Sequence, residues 1–179
     1  MARARSRSRS SFQSGRPAGI DPRDVPWIVT TLSFAALCVA WLVQFGFGYA
    51  PCELCYWTRY GYWGVILLGL ISMWFSRRPK VRKFWLTLTG IGLLAVLGIS
   101  VFQVGVEHGW WRGTDACVGV STVGMSAQQM LDAINNAPVT RCDQPAFLIL
   151  GISMAGYNII YVLVLAWFAF WGASRRTHR

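Results

Sequence analysis

Four of the five cysteines in this chain lie in two polar connections between long apolar stretches, and their thiols are the side chains best suited to chemistry. Cys52 and Cys55 form a Cys-x-x-Cys motif, whose spacing closes a small ring that opens and closes readily. Cys117 and Cys142 lie in the longer connection. Thiol pairs of this kind serve as redox-active dithiols, as inert disulfides or as zinc ligands.

Arg59 follows Cys55 by one helical turn, which places both side chains on one face of a helix. A cation beside the hydrocarbon of a membrane is costly unless it reaches the interface or has a partner. Simple anchoring at the interface would explain Arg59. Alternatively, the guanidinium would stabilise a Cys55 thiolate and donate hydrogen bonds to the carbonyl oxygen of a flat ligand at membrane depth.

The two cysteines of the longer connection also allow two interpretations. A disulfide between Cys117 and Cys142 could be a structural staple for the loop. Placed beside a helix-terminal Cys-x-x-Cys, the same pair could relay electrons between a soluble protein and the membrane. Cys38 lies within an apolar stretch, where we expect it to be a small packing residue.

Long apolar stretches must position these thiols. With 54% hydrophobic and 13% charged residues among 179, the chain is too apolar for a soluble domain. Segments at 27–48, 56–75, 84–106 and 147–171 each hold about 20 mostly apolar residues, enough to cross a bilayer. Residues 1–26 predict a disordered basic tail, and 172–179 a short second tail. We therefore predict an all-α membrane protein, an antiparallel four-transmembrane-helix bundle.

The net charge of +10 predicts the orientation of the chain in the membrane. All but three of the 17 basic residues lie in the N-terminal tail, between the second and third segments, or at the C-terminal end. This is the pattern of cytoplasmic loops, and it disfavours binding to nucleic acid. It predicts a multi-pass protein with both termini cytoplasmic and the connections at 49–55 and 107–146 on the outer side, which is the periplasm if the membrane is a bacterial inner membrane.

The second periplasmic connection contains one predicted helix. Ser126 and Gln129 have the spacing of a capping box. Apolar residues follow at i, i+3, i+4 and i+7 spacing, which is typical of an amphipathic helix: Ala127, Met130, Leu131 and Ile134. We expect this helix, over 127–135, to lie flat on the outer membrane surface or to pack on the outer end of the bundle.

Several motifs occur in a characteristic order along 27–171. They are Pro51-Cys52-x-Leu54-Cys55-x-x-x-Arg59, Gln103-x-x-x-Glu107-His108, Gly109-Trp110-Trp111 leading to Cys117, and Cys142 leading to Gly151-Ile-Ser-Met-Ala-Gly-Tyr-Asn158. Together they resemble the DsbB family of disulfide bond formation proteins, which keep the bacterial periplasm oxidising.

The resemblance implies an inner-membrane protein disulfide oxidoreductase. Such an enzyme reoxidises a periplasmic thioredoxin-fold oxidase, DsbA, and passes the electrons to a membrane quinone, ubiquinone or menaquinone, without a metal. By this resemblance Cys117 forms the mixed disulfide with the partner, and Cys142 resolves it by moving to Cys52. Cys55 is then released as the thiolate that donates to the quinone.

The same resemblance places Arg59 and His108 near the quinone ring. On its position alone, His108 at a helix end could be an ordinary polar residue of the interface. Gln103, one turn before the end of the third segment, could touch the quinone or hydrogen-bond to a neighbouring helix.

Two other functions compete with this hypothesis. A zinc site with four thiolate ligands would use all four outer cysteines, but only one Cys-x-x-Cys is present and Arg59 would have no role. A structural or transport membrane protein with two inert disulfides is the second alternative. Almost no charge lies within the predicted spans, which disfavours transport.

Overall fold

The computed structural model describes residues 21–75, 77–114, 117, 124–135, 141–143 and 148–175, and within these ranges the chain is mostly helical. A π-helical turn, Leu42–Gly46, continues the first helix, and two short antiparallel strands, β1 (Leu148–Ile149) and β2 (Ile152–Ser153), precede the last one. The helices are α1 (Val25–Trp41), α2 (Glu53–Trp74), α3 (Pro79–Glu107), α4 (Ala127–Asn135) and α5 (Met154–Ser174).

Within the described part of the chain, three helical segments are long and apolar enough to cross a membrane, namely Val25–Gly46, Pro79–Glu107 and Met154–Ser174. Helix α2 is not one of them, although it has 22 residues. Its first half is rich in Tyr and Trp and contains Glu53 and Arg59, which lowers its mean hydropathy. The chain is thus an all-α, multi-pass membrane protein.

The four long helices pack around one apolar core. Helix α3 contacts both α2 and α5, and α1 contacts the same two helices from the other side. Small residues allow the closest approach: a Cβ on Gly90 of α3 would lie 2.8 Å from Cζ of Phe170 in α5. The core is formed mainly by Val25, Val29, Leu37, Tyr62, Val65, Ile66, Leu86, Leu93, Val96, Val162, Leu165, Ala166 and Ala169.

The last helix begins later than the apolar pattern predicts, at Met154 rather than near 147. Leu150 and Gly151 have φ values of 51° and 80°, which are incompatible with an α-helix and form the turn between β1 and β2. Ser153 then caps α5, because its Oγ accepts a hydrogen bond from the Gly156 backbone N–H at 3.2 Å. The apolar pattern therefore predicted a helix over residues that form this hairpin.

The other helix ends also differ from the prediction. Helix α3 begins at Pro79 rather than at 84, since proline suits the first position of a helix. Helix α1 begins at Val25, two residues before the predicted start of the first span at 27, and residues 1–20 of the predicted tail lie outside the described part. Helix α5 continues to Ser174, beyond the predicted end at 171, and residues 176–179 also lie outside it.

Helix α4 covers the residues over which the capping box predicts a helix. The Ser126 backbone N–H donates to Gln129 Oε1 at 2.9 Å, and the Gln129 backbone N–H donates to Ser126 Oγ at 3.4 Å. The apolar side chains of Met130 and Leu131 are 39% and 55% exposed. They do not pack into the core of the four long helices.

Candidate functional site

The Cys-x-x-Cys motif lies where α2 begins. Cys52 has an extended backbone and is the residue before the first turn, so Cys55 lies in that turn beside free backbone N–H groups. Both cysteines are free thiols, with 3.1 Å between their Sγ atoms. Cys52 is buried, and Cys55 is half-buried. Local sequence alone thus brings this pair into contact.

The two thiols are electrostatically unequal. Both precede the predicted span at 56–75. The hydrogen bond from Cys52 lowers the pKa of Cys55 to about 6, with further help from Gln103 and Arg59 and against the effect of burial. The same hydrogen bond, together with burial, raises the pKa of Cys52. Cys55 is therefore the thiolate of the pair at neutral pH, and Cys52 keeps its proton.

Gln103 is the residue of α3 that contacts the two sulfur atoms. Its Nε2 lies 3.5 Å from Cys55 Sγ and 4.0 Å from Cys52 Sγ, and its side chain is buried. An amide N–H aimed at a sulfur stabilises the thiolate form.

Arg59 is held in place by the end of α1. Its Nη1 donates to Gln44 Oε1 in the π-helical turn, and its Nη2 donates to the backbone oxygen of Ala40 at 3.1 Å. The guanidinium carbon lies 5.6 Å from the centre of the Tyr56 ring. Since π-helical turns change the direction of side chains within a helix, this turn is what brings Gln44 to Arg59.

Cys117 and Cys142 form a disulfide. The Cys142 backbone N–H donates to the Cys117 carbonyl oxygen at 2.9 Å. Both residues are buried, and they pack in one cluster with Cys52, Leu54 and Val106. The structure thus brings the two sulfur pairs, which are far apart in sequence, into one cluster.

A side-chain contact ties the loop to the start of α2. Thr114 Oγ1 donates to Glu53 Oε2 at 2.8 Å, and the Cys117 backbone N–H donates to the Thr114 carbonyl oxygen at 2.9 Å. Glu53, between the two cysteines of the motif, therefore holds the chain that carries Cys117.

A cavity of about 1010 Å³ opens beside these groups, enclosed by α1, α2, α3, α5 and the loop cysteine Cys142. Most of its surface is apolar. One polar wall links three helices, because Tyr62 Oη donates to Asn158 Oδ1 at 2.7 Å and Asn158 Nδ2 donates to Ser100 Oγ at 2.8 Å. Polar or reactive lining residues include Cys52, Cys55, Thr58, Arg59, Tyr62, Ser100, Gln103, Glu107, Arg141, Cys142 and Asn158.

Comparison with known families decides what kind of protein this is. The model of the family "Disulfide bond formation protein DsbB" matches residues 22–172, nearly the whole of the described chain. The chain belongs to the DsbB family. It is thus a membrane protein of disulfide bond formation, with thiol oxidation as its chemistry.

Individual relatives share 25–30% sequence identity with the chain. The uncharacterized protein RP370 of Rickettsia prowazekii is 30% identical over 140 residues, covering 77% of this chain and 80% of its own. Disulfide bond formation protein B of Cupriavidus necator is 25% identical over 147 residues, covering 77% of this chain and 84% of its own. Its counterpart in Cupriavidus pinatubonensis gives the same identity and coverage. No solved structure matches the chain.

The structure of this DsbB-family chain brings most of the predicted site residues together, but not His108. Cys52, Cys55, Arg59, Gln103 and Cys142 all line the cavity, and Cys117 is bonded to Cys142. His108 is not among the described lining residues. Its Nδ1 lies 2.9 Å from the Val104 carbonyl oxygen, and its exposed ring packs beside Trp110. The structure thus does not place His108 at the cavity, because consecutive residues of a helix point in directions about 100° apart. Its contact with a ligand ring stays a prediction.

No role was predicted for Tyr62 and Ser100, which line the cavity, or for Gln44, which accepts a hydrogen bond from Arg59. Asn158 and Glu107 were quoted only as parts of motifs. The sequence could have indicated these residues, because each is a polar side chain within an otherwise apolar span. Such a side chain needs a partner in the bundle or a ligand.

Two further expectations concern single cysteines and metals. Cys38 is exposed on α1 and is not a packing residue of the core. In the alternative with a zinc site, all four outer cysteines would be ligands, but Cys117 and Cys142 are joined to each other, and the described residues contain no group of three metal-binding side chains.

Proposed function

We propose that this protein reoxidises a periplasmic DsbA-like thiol oxidase and passes the electrons to a membrane quinone. The observation that carries the proposal is the shared cavity: the Cys55 thiolate, Arg59 and Gln103 line one apolar space, and the second sulfur pair packs directly behind Cys52. This arrangement would connect the disulfide of the second loop to a site for a lipid-soluble electron acceptor.

The lining residues suit a quinone. Ligand cavities for organic molecules typically have volumes of about 300–1,000 Å³ and mainly apolar walls with a few polar groups, and this cavity of about 1010 Å³ is of that kind. The guanidinium of Arg59 and the amide of Gln103 are the donors that would bind a ring carbonyl oxygen beside Cys55. A quinone bound there would supply a two-electron acceptor, and the side chains orient it and exclude water.

The arrangement of the cysteines suits electron transfer from the loop pair to the inner pair. Cys52 and Cys55 are free thiols whose sulfur atoms are 3.1 Å apart, close enough to form a disulfide when an acceptor takes their electrons. Because Cys142 and Cys52 lie in one cluster, passing electrons from the loop pair to the inner pair needs only local movement. DsbA has a potential of about −120 mV, and each 30 mV is worth about 1.4 kcal/mol, so a stronger oxidant such as a quinone must accept the electrons.

The exchange with a partner requires the loop to open. Cys117 and Cys142 are 0% and 2% exposed, so a thiolate of another protein cannot reach either sulfur in this conformation. By the family resemblance, Cys117 is the sulfur that the partner attacks, and Cys142 is the one that returns to Cys52. The contact between Thr114 and Glu53 is what opening must break.

The proposed topology is an antiparallel bundle of four spanning helices in a bacterial inner membrane. Helix α2 would cross at 56–75, so that both chain ends are cytoplasmic and both cysteine loops periplasmic. Helix α4 would lie on the outer membrane surface, since its apolar side chains Met130 and Leu131 are exposed.

The direct test uses the reduced partner and a soluble quinone analogue. We expect the wild-type protein to reduce the quinone, followed by its absorbance, and Cys55→Ser to abolish the reaction. Cys38→Ser is the matched control, because it removes a free thiol that is exposed and is not among the residues that line the cavity. Normal quinone reduction by Cys55→Ser would refute the assignment of Cys55 as electron donor. Normal disulfide formation by both Cys52→Ala and Cys117→Ala would instead identify the disulfides as inert.

A further inference from the structure

The carboxyl group of Glu107 lines the cavity but has no role in the proposed electron transfer. Glu107 is the last residue of α3 and lies one turn after Gln103, on the same face of the helix. It lines the cavity together with Cys52 and Cys55, and it is the only acidic residue among the described lining residues. Its Oε2 atom is buried and has no partner within hydrogen-bond distance, although the side chains of Ser153 and Gln103 lie close enough to interact with the carboxyl group. A buried carboxylate oxygen without a donor is costly, which favours the protonated form of this carboxyl group.

The chemistry of the proposed function leaves one proton to be supplied. When the Cys55 thiolate and the Cys52 thiol form their disulfide, they release two electrons and one proton. Conversion of a quinone to a quinol takes up two electrons and two protons, one at each carbonyl oxygen. The second proton must therefore come from another group, and the walls of the cavity are mostly apolar.

We propose that Glu107 supplies this second proton: its carboxyl group donates to a quinone carbonyl oxygen as Cys52 and Cys55 close their disulfide. The carboxylate that remains is then reprotonated from the periplasmic side. Arg141, which lines the same cavity, has a side chain that is 52% exposed, so this rim reaches water. The inference rests on the proposed function, because it needs the quinone as electron acceptor.

The charged groups around the carboxyl leave it available for this role. Arg141 is bound to Asp143, with 2.6 Å between its Nη2 and the Oδ2 atom. Arg59 from α2 already donates to α1. His108, the next residue on α3, is exposed and contacts its own helix. Neither arginine forms a described ion pair with Glu107. Of the charged neighbours, His108 is the one whose charge acts on the carboxyl group.

Kinetic variants test the proposal. Pre-reduced protein is mixed with a soluble quinone analogue, and quinol formation is followed in a single turnover. We expect Glu107→Gln to slow the reaction by about 10²-fold, the lower range for loss of a general acid, and Glu107→Asp to recover part of it. Binding of the quinone and alkylation of Cys55 should remain as in the wild type. Asp132→Asn, the same change on an exposed residue of α4, should have the wild-type rate.

The pH profile separates a proton donor from a merely structural residue. The wild-type rate should fall as the carboxyl deprotonates at high pH, and this fall should be missing in Glu107→Gln. A wild-type rate and profile in Glu107→Gln would overturn the proposal. If the wild-type protein reduces no quinone, the proposed function itself fails, which is a different result.

Infrared spectroscopy of the unmutated protein covers the case in which the variant does not fold. The chain has only two glutamates, Glu53 and Glu107, so ¹³C-labelled glutamate marks few groups. We expect reduced protein at neutral pH to show the C=O band of a protonated carboxyl that shifts with the label and persists in Glu53→Gln. Absence of this band would overturn the proposal.

Discussion

The ionisation of Cys55 can be measured directly, and removing Cys52 is the sharpest perturbation of it. The hydrogen bond from Cys52 is the largest cause that lowers the pKa of Cys55 from 9.0 to about 6. At pH 7 such a thiol is about nine-tenths ionised, whereas an ordinary one is about one-hundredth ionised. Nucleophilicity falls with pKa, at a Brønsted coefficient of about 0.4–0.5, so three units cost a factor of about 20.

These opposing factors decide which observable is useful. Their ratio leaves Cys55 only about fourfold more reactive at pH 7 than an ordinary thiol, so a single rate is a weak test. The pH at which reactivity is half-maximal is a strong one, because the thiolate forms as pH rises through the pKa. We expect this midpoint near pH 6 in the parent protein and a rise of about one unit or more in Cys52→Ala.

The assay is alkylation by iodoacetamide in a Cys38→Ser background, with the loop disulfide intact and Cys55 followed by mass spectrometry. Gln103→Leu should raise the midpoint by less than Cys52→Ala, since its amide contributes less to the pKa of Cys55. A midpoint near 9 in the parent, or one that Cys52→Ala leaves unchanged, would show that the two thiols do not share a proton as the geometry indicates.

Three further predictions address the ligand, the loop and the packing. Arg59→Lys should raise the KM for a quinone analogue about tenfold with little change in thiol reactivity, because a lysine cannot replace the two directed hydrogen bonds of the guanidinium; an unchanged KM would contradict this. Thr114→Val should speed reduction of the loop disulfide by a small dithiol about fivefold, the value of one hydrogen bond of about 1 kcal/mol to Glu53. Equal rates would show that this contact does not hold the loop. Gly90→Ala should lower stability in detergent by about 1–3 kcal/mol, seen as a lower Tm, whereas Gly98→Ala, whose added Cβ would meet no atom within 4 Å, should not.

The sequence alone determined the local features. Apolar stretches located the long helices, because lipid requires a continuous apolar surface over that length. The capping box of Ser126 and Gln129 located α4, since both partners lie within one turn. The Cys-x-x-Cys motif located the start of α2, and its spacing brings Cys52 and Cys55 into contact whatever the rest of the chain does.

Only the tertiary structure decided which distant groups meet. Nothing local predicts that Gln44 reaches Arg59 or that Glu107 lines the cavity while its neighbour His108 does not. Helix packing sets these contacts: it decides that the face of α3 with Glu107, and not the neighbouring direction of His108, meets the cavity. Likewise, the turn at Gly151 interrupts an apolar run. Hydropathy did not predict this turn, because it measures the preference of side chains for lipid and not the direction of the backbone. The cavity exists because four helices enclose it, which no single segment encodes.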